Sequence, residues 1–178
     1  MPCNCFSFRS KLKKTFAVGF NPPTAFLQLI RCLPLPPKES CNLFGSAPHR
    51  DFGCITIVAQ DETEGLQVKN PQGKWIDAPF IKDSFVMNIG VMLYRWSNGL
   101  LISTPHRVIN CSGQERYSRP FFFEPNVNVK VSPLTCCITP MTDQSSLLLL
   151  FTANFCVASC KVDITDTRLI ISLGKNHL

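Results

Sequence analysis

Residues 45–80 read GSAPHRDFGCITIVAQDETEGLQVKNPQGKWIDAPF, and the rhythm of this stretch decides the fold class. The run CITIVA is apolar and β-branched, which suits a pleated, half-buried surface. DETEG then turns, LQVKN follows, PQGK turns again, and WIDAPF follows. Downstream, SFVMNIGVMLYRW leads into Ser97, Asn98 and Gly99, and after that turn come LLIS, HRVIN, the turn CSGQ and ERYSRPFFFEP. Short strands with turn chemistry at intervals of about ten residues predict an all-β sandwich, barrel or jelly roll. Helical periodicity is almost absent from this middle region. Upstream, AFLQLIRCL is bracketed by prolines and reads as an opening strand.

The composition fits a single folded domain: 178 residues, 45% hydrophobic and 17% charged. A net charge of +6 raises the question of nucleic acid. The basic residues are scattered, however, apart from Arg9, Lys11, Lys13 and Lys14, and a nucleic-acid face needs a clustered basic patch. The ten cysteines follow no zinc-finger spacing and no secretory signal precedes them, so reduced thiols in a cytoplasmic protein are expected. The longest apolar stretch, Leu147 to Ala158, is interrupted by Thr152 and Asn154. It falls short of the roughly 20 residues a bilayer-spanning helix requires. Neither a nucleic-acid nor a membrane partner is expected, and the oligomeric state stays open.

Three histidines are present, and His177 is one residue from the end. His49 and His106 are left as candidates for chemistry. Asp51 follows His49 by two positions, and alternate residues of a strand share a face, so the two side chains can address one point. His106 opens a later strand that a folded-back sheet could bring opposite the pair. Two imidazoles and a carboxylate on one face of a metal suit Fe(II) and leave three positions open. An HxD pair alone is more often an ordinary surface pair beside a core histidine. What shifts the balance is Arg116 with Ser118 two positions on: a guanidinium beside a hydroxyl on one strand face is built to bind a carboxylate through a charge-assisted fork.

Together with STPHRVIN and ERYSRPFFFEP, these stretches closely resemble the isopenicillin N synthase-like branch of the 2-oxoglutarate- and Fe(II)-dependent dioxygenases, over about residues 25–130. The resemblance implies a double-stranded β-helix, a jelly roll whose mouth holds the metal. His49, Asp51 and His106 become the iron ligands, and Arg116 and Ser118 hold the far carboxylate of 2-oxoglutarate. Fe(II), 2-oxoglutarate and O2 are the implied cofactors, with ascorbate as reductant. The implied activity is oxidation of a small organic substrate with release of succinate and CO2. An oxidase of the isopenicillin N synthase type, which uses no 2-oxoglutarate, shares the same motifs, and a catalytically silent fragment or metal-binding module is the third reading.

The departures define further expectations. The family's helix-rich N-terminal region is largely missing, so the chain looks like a C-terminal half. Residues 1–24 read as a ragged segment, 25–130 as the jelly roll and 131–178 as a divergent tail unlike the family's C-terminal helix. Cys32 and Leu33 precede Pro34 where the family commonly places a tyrosine that contacts the cosubstrate. Val91 stands where relatives often carry an acidic residue, and Arg50 fills the middle of HxD.

Overall fold

The computed structural model describes residues 17–34 and 44–138, together with Lys13, 150–151 and 169–172. Its long strands are β1 (Thr24–Cys32), β3 (Ile55–Gln60) and β8 (Arg116–Glu124). The shorter ones are β2 (Ser46–His49), β4 (Leu66–Lys69), β5 (Trp75–Asp77), β6 (Val86–Ile89), β7 (His106–Val108), β9 (Lys130–Val131), β10 (Leu150–Phe151) and β11 (Leu169–Ser172). The larger sheet has the order β11-β1-β8-β3-β6 and the smaller β2-β7-β4-β5, while β9 and β10 pair separately. Every pairing among the described residues is antiparallel. From β1 to β8 the chain passes repeatedly from the larger sheet to the smaller and back, and this alternation is the double-stranded β-helix of a jelly roll. Most of the tail from residue 131 lies outside the described residues.

Strand periodicity explains which side chains enter the space between the sheets. On β8 the buried positions alternate through Arg116, Ser118 and Pro120. Their partners are Cys32 and Ile30 on β1 and Gln60 and Val58 on β3. Cys32, Leu66 and Val108 form a buried cluster between the sheets, with Ile30, Ala78 and Val86 against it. A second cluster, Cys54, Met92, Leu93, Trp96 and Val131, closes one end. Burying a side chain the size of Met92 or Leu93 is worth roughly 1.5 to 3 kcal/mol each.

Two expectations change. The stretch SFVMNIGVMLYRW is not one extended run: β6 stops at Ile89, and α1 (Val91–Trp96) follows. A helix under two turns long shows too few repeats to display its period, yet Met92, Leu93 and Trp96 all face the core. The turn after it forms as the residues suggest, with Asn98 and Gly99 both at positive φ. LLIS, in contrast, joins no sheet among the described residues. Leu100 and Ile102 are largely exposed while Ser103 is buried, the reverse of the facing that its apolar residues suggest.

Candidate metal centre and cosubstrate clamp

β2 and β7 bring the two histidines together, since His49 and His106 are partners in the ladder between them. That ladder is irregular between Ser46 and His49, where Pro48 has no N–H to donate. Asp51 does not continue the strand, contrary to the shared-face expectation. β2 ends at His49, and Asp51 sits in the loop leading to β3. The loop is pinned by the start of α1: the N–H groups of Val91 and Met92 donate to the carbonyls of Asp51 and Phe52 over 2.7 and 3.0 Å. Such close approach requires a glycine at 90, because a Cβ there would lie 2.0 Å from the Gly53 oxygen.

The result is convergence. Nε2 of His49 and Nε2 of His106 are each 3.6 Å from Asp51 Oδ1. His49 Nδ1 is 2.7 Å from the Ala47 oxygen and His106 Nδ1 is 3.2 Å from the Thr104 oxygen. A carbonyl can only accept, so these contacts place the imidazole proton on Nδ1 and leave a lone pair on Nε2 facing the carboxylate. Among the described residues this is the group of three His, Cys, Asp or Glu side chains able to hold a metal ion, with ligand atoms within 4.8 Å of one another. Two imidazoles and one carboxylate are the donor set that suits Fe(II) with open positions. The residues therefore fit the metal.

Burial by itself would raise the Asp51 carboxyl. Hydrogen bonding from His49 and the charge of His106, both acting when the imidazoles are protonated, together with hydrogen bonds from Thr56 and Asn88, outweigh it and hold the pKa at about 2. Burial pushes His106 below its ordinary value, more than the Asp51 charge restores. The group thus presents an anionic carboxylate and a neutral His106 at neutral pH, as metal ligation needs.

Arg116 is almost wholly buried, and burial lowers its pKa against the opposing influence of Cys32 and Asp61. Its Nε–H donates to the Glu64 carbonyl, Nη1 to Ser118 Oγ over 3.0 Å, and Nη2 to Gln60 Oε1 over 3.2 Å. Glu64 and Gly65 both adopt positive φ, turning the Glu64 carbonyl inward. A guanidinium carries five N–H groups. Those three bonds engage each of its nitrogens once, and the Cys32 thiol makes a further hydrogen-bond contact with the guanidinium. Arg116 and Ser118 share the inner face, as their spacing predicts. Cys32, the cross-strand partner of Arg116, is buried with its Sγ 3.9 Å from the Gly45 oxygen; it belongs to the core cluster between the sheets.

Sequence reading missed three polar residues. Thr56 Oγ1 and Asn88 Nδ2 donate to Asp51 Oδ2 over 2.6 and 2.7 Å. Gln60, which receives Arg116, donates its amide to the Ala78 and Pro79 carbonyls over 3.0 and 3.2 Å, fixing which end faces the guanidinium. The available signal was a polar side chain at an inward position of an otherwise apolar strand.

Residues 25–125 match the 2OG-Fe(II) oxygenase superfamily, and the chain belongs to that family. It is 54% identical over 86 residues to a probable iron/ascorbate oxidoreductase of Dictyostelium discoideum, a match covering 48% of this chain and 23% of the relative. It is 39% identical over 117 residues to the 2-oxoglutarate-dependent dioxygenase citB of Monascus ruber, covering 64% of this chain and 36% of the relative. In structure it resembles a full-length Neurospora crassa protein solved in complex with alpha-KG and 5-formyluracil, with a TM-score of 0.74 at 28% identity, over 81% of this chain and 49% of that one. The chain thus spans half or less of the length of these relatives. Among the described residues no helix is long and apolar enough to cross a membrane.

Proposed function

We propose that this chain carries the catalytic core of a 2-oxoglutarate- and Fe(II)-dependent dioxygenase. In this reading His49, Asp51 and His106 hold the iron through Nε2, Oδ1 and Nε2. The observation that carries it is the convergence of both lone-pair nitrogens on one carboxylate oxygen. Arg116, with the Ser118 hydroxyl, binds the distal carboxylate of 2-oxoglutarate through its guanidinium. Gln60 and the Glu64 carbonyl keep the guanidinium plane fixed so that little ordering is lost on binding. Iron bound at this site supplies the redox chemistry by which O2 converts 2-oxoglutarate to succinate and CO2 and oxidises a second small molecule. Ascorbate is the reductant that maintains the ferrous state. The jelly roll spans 25–130 in this assignment, with 1–24 preceding it and 131–178 as a tail. In this reading the setting is cytoplasmic, where the ten cysteines are kept as reduced thiols.

The test is succinate release from 2-oxoglutarate by the purified chain with Fe(II) and ascorbate, beside Asp51→Ala. Succinate formed by the wild type and lost in the variant is the expected result. Iron bound without 2-oxoglutarate turnover or binding favours the oxidase or the silent module.

A further inference from the structure

Asp51 is held at both of its ends. Its carbonyl accepts from the Val91 N–H over 2.7 Å, and its Oδ2 accepts from the Thr56 hydroxyl and the Asn88 amide over 2.6 and 2.7 Å. Thr56 and Asn88 are directly opposite each other in the β3–β6 ladder, so neighbouring strands aim two donors at one oxygen. Thr56 is 2% exposed, and its hydroxyl is committed to this contact. Oδ1, the other oxygen, is the atom that faces both Nε2 nitrogens.

From this geometry we infer that Thr56 and Asn88 are positioning residues that make Asp51 a one-oxygen metal ligand. The inference rests on the iron assignment above. A carboxylate with a free Oδ2 can swing about its Cβ–Cγ bond or chelate a cation through both oxygens. Chelation would fill a coordination position that a bidentate cosubstrate and O2 require. Two hydrogen bonds to Oδ2 oppose both motions. The donors are neutral, so they orient the carboxylate without cancelling its charge, as a lysine or arginine at either position would. The cross-strand pairing makes the two donors independent supports, each removable alone.

The experiment compares the full-length wild type with Thr56→Val, Asn88→Leu and Thr56→Ser. Anaerobic Fe(II) titration gives iron affinity, and titration at saturating iron gives 2-oxoglutarate affinity. Outer partners of metal ligands are typically worth about 10- to 100-fold in metal affinity. Thr56→Val and Asn88→Leu are expected to lose iron affinity in that range, with 2-oxoglutarate affinity at saturating iron changed less than threefold and Thr56→Ser close to wild type. Iron affinity within threefold of wild type in both folded variants overturns the inference while leaving the iron site standing. A second measurement needs no variant. In the infrared difference spectrum between Zn(II)-loaded and metal-free wild type, ligation through one oxygen widens the separation of the Asp carboxylate stretches relative to the free ion. A narrowed separation, the signature of chelation, overturns the inference. Wild type that binds neither metal removes the iron assignment, and this inference falls with it.

Discussion

His49 and His106 are partners across the β2–β7 ladder, and their rings stand 4.3 Å apart with planes tilted by 56°. The ladder carries both imidazoles as one unit, while the third donor arrives separately on the loop after β2. The centre is therefore two-part: a histidine pair set by strand register and a carboxylate set by the contact between that loop and α1. Losing either part leaves too few donors, because His177 is the chain's remaining histidine and lies outside the described residues. Asp51→Ala and His106→Ala are expected to abolish stoichiometric Fe(II) binding while the far-ultraviolet circular dichroism stays that of the wild type. Tight 1:1 iron in either variant, read by anaerobic titration, contradicts the assignment.

Arg116 separates the dioxygenase from the oxidase. Charge-assisted hydrogen bonds are worth roughly 1.5 to 3 kcal/mol each, and about 1.4 kcal/mol is a factor of ten. Arg116→Leu should weaken 2-oxoglutarate binding at least about tenfold. Arg116→Lys keeps the charge but loses the planar fork, and should fall between. Iron affinity should barely move in either. The readout is the visible absorbance that develops when 2-oxoglutarate is added to the ferrous protein. A wild type that binds iron but never develops this band favours the oxidase.

Acid should destabilise the metal-free protein through Asp51. Its carboxyl sits at about 2 when folded and near the ordinary aspartate value of about 3.9 when unfolded. A depressed folded-state value means that the stabilisation is complete above the unfolded value and is lost as pH falls toward the folded one. The shift corresponds to roughly 2 to 3 kcal/mol. Denaturant unfolding of metal-free wild type and Asp51→Asn at pH 6 and pH 2.5 should show the wild type's additional stability shrinking at the lower pH. A difference between the two proteins that is unchanged by pH would mean that Asp51 is not held low.

Gly90 and Gly113 make a controlled pair. At Gly90 a Cβ would meet the Gly53 oxygen at 2.0 Å, whereas at Gly113 nothing lies within 4 Å, although its φ is +75°. Gly90→Ala has to push the loop that carries Asp51 away from α1 and should cost about 3 kcal/mol, at the high end for one substitution. Gly113→Ala meets backbone strain alone and should cost about 1 kcal/mol. Chemical denaturation measures both, and equal effects would show that the close approach of loop and helix does not constrain the fold.

The all-β class and the succession of short strands were legible in the amino-acid sequence because they depend on local signals, and the five residues could be named as candidates from their spacing and from the family resemblance. The local signals were apolar runs of strand length, turns such as DETEG and CSGQ, and the two-residue spacing of Arg116 and Ser118 that puts both on one face. Asp51 lies beside His49 as expected but not for the expected reason, since it is the contact with Val91 and Met92, not a continuing strand, that sets its place. α1 was hidden because six residues are too few to show a helical period. LLIS has the composition of a strand, yet no neighbouring strand among the described residues pairs with it. Thr56, Asn88 and Gln60 could not be found from local pattern. Thr56 and Asn88 meet only because β3 and β6 pair in one particular register, and Gln60 meets Arg116 only because β3 lies beside β8. Alternation assigns a residue to a face, but which residues of distant strands stand opposite each other is decided when the sheets assemble.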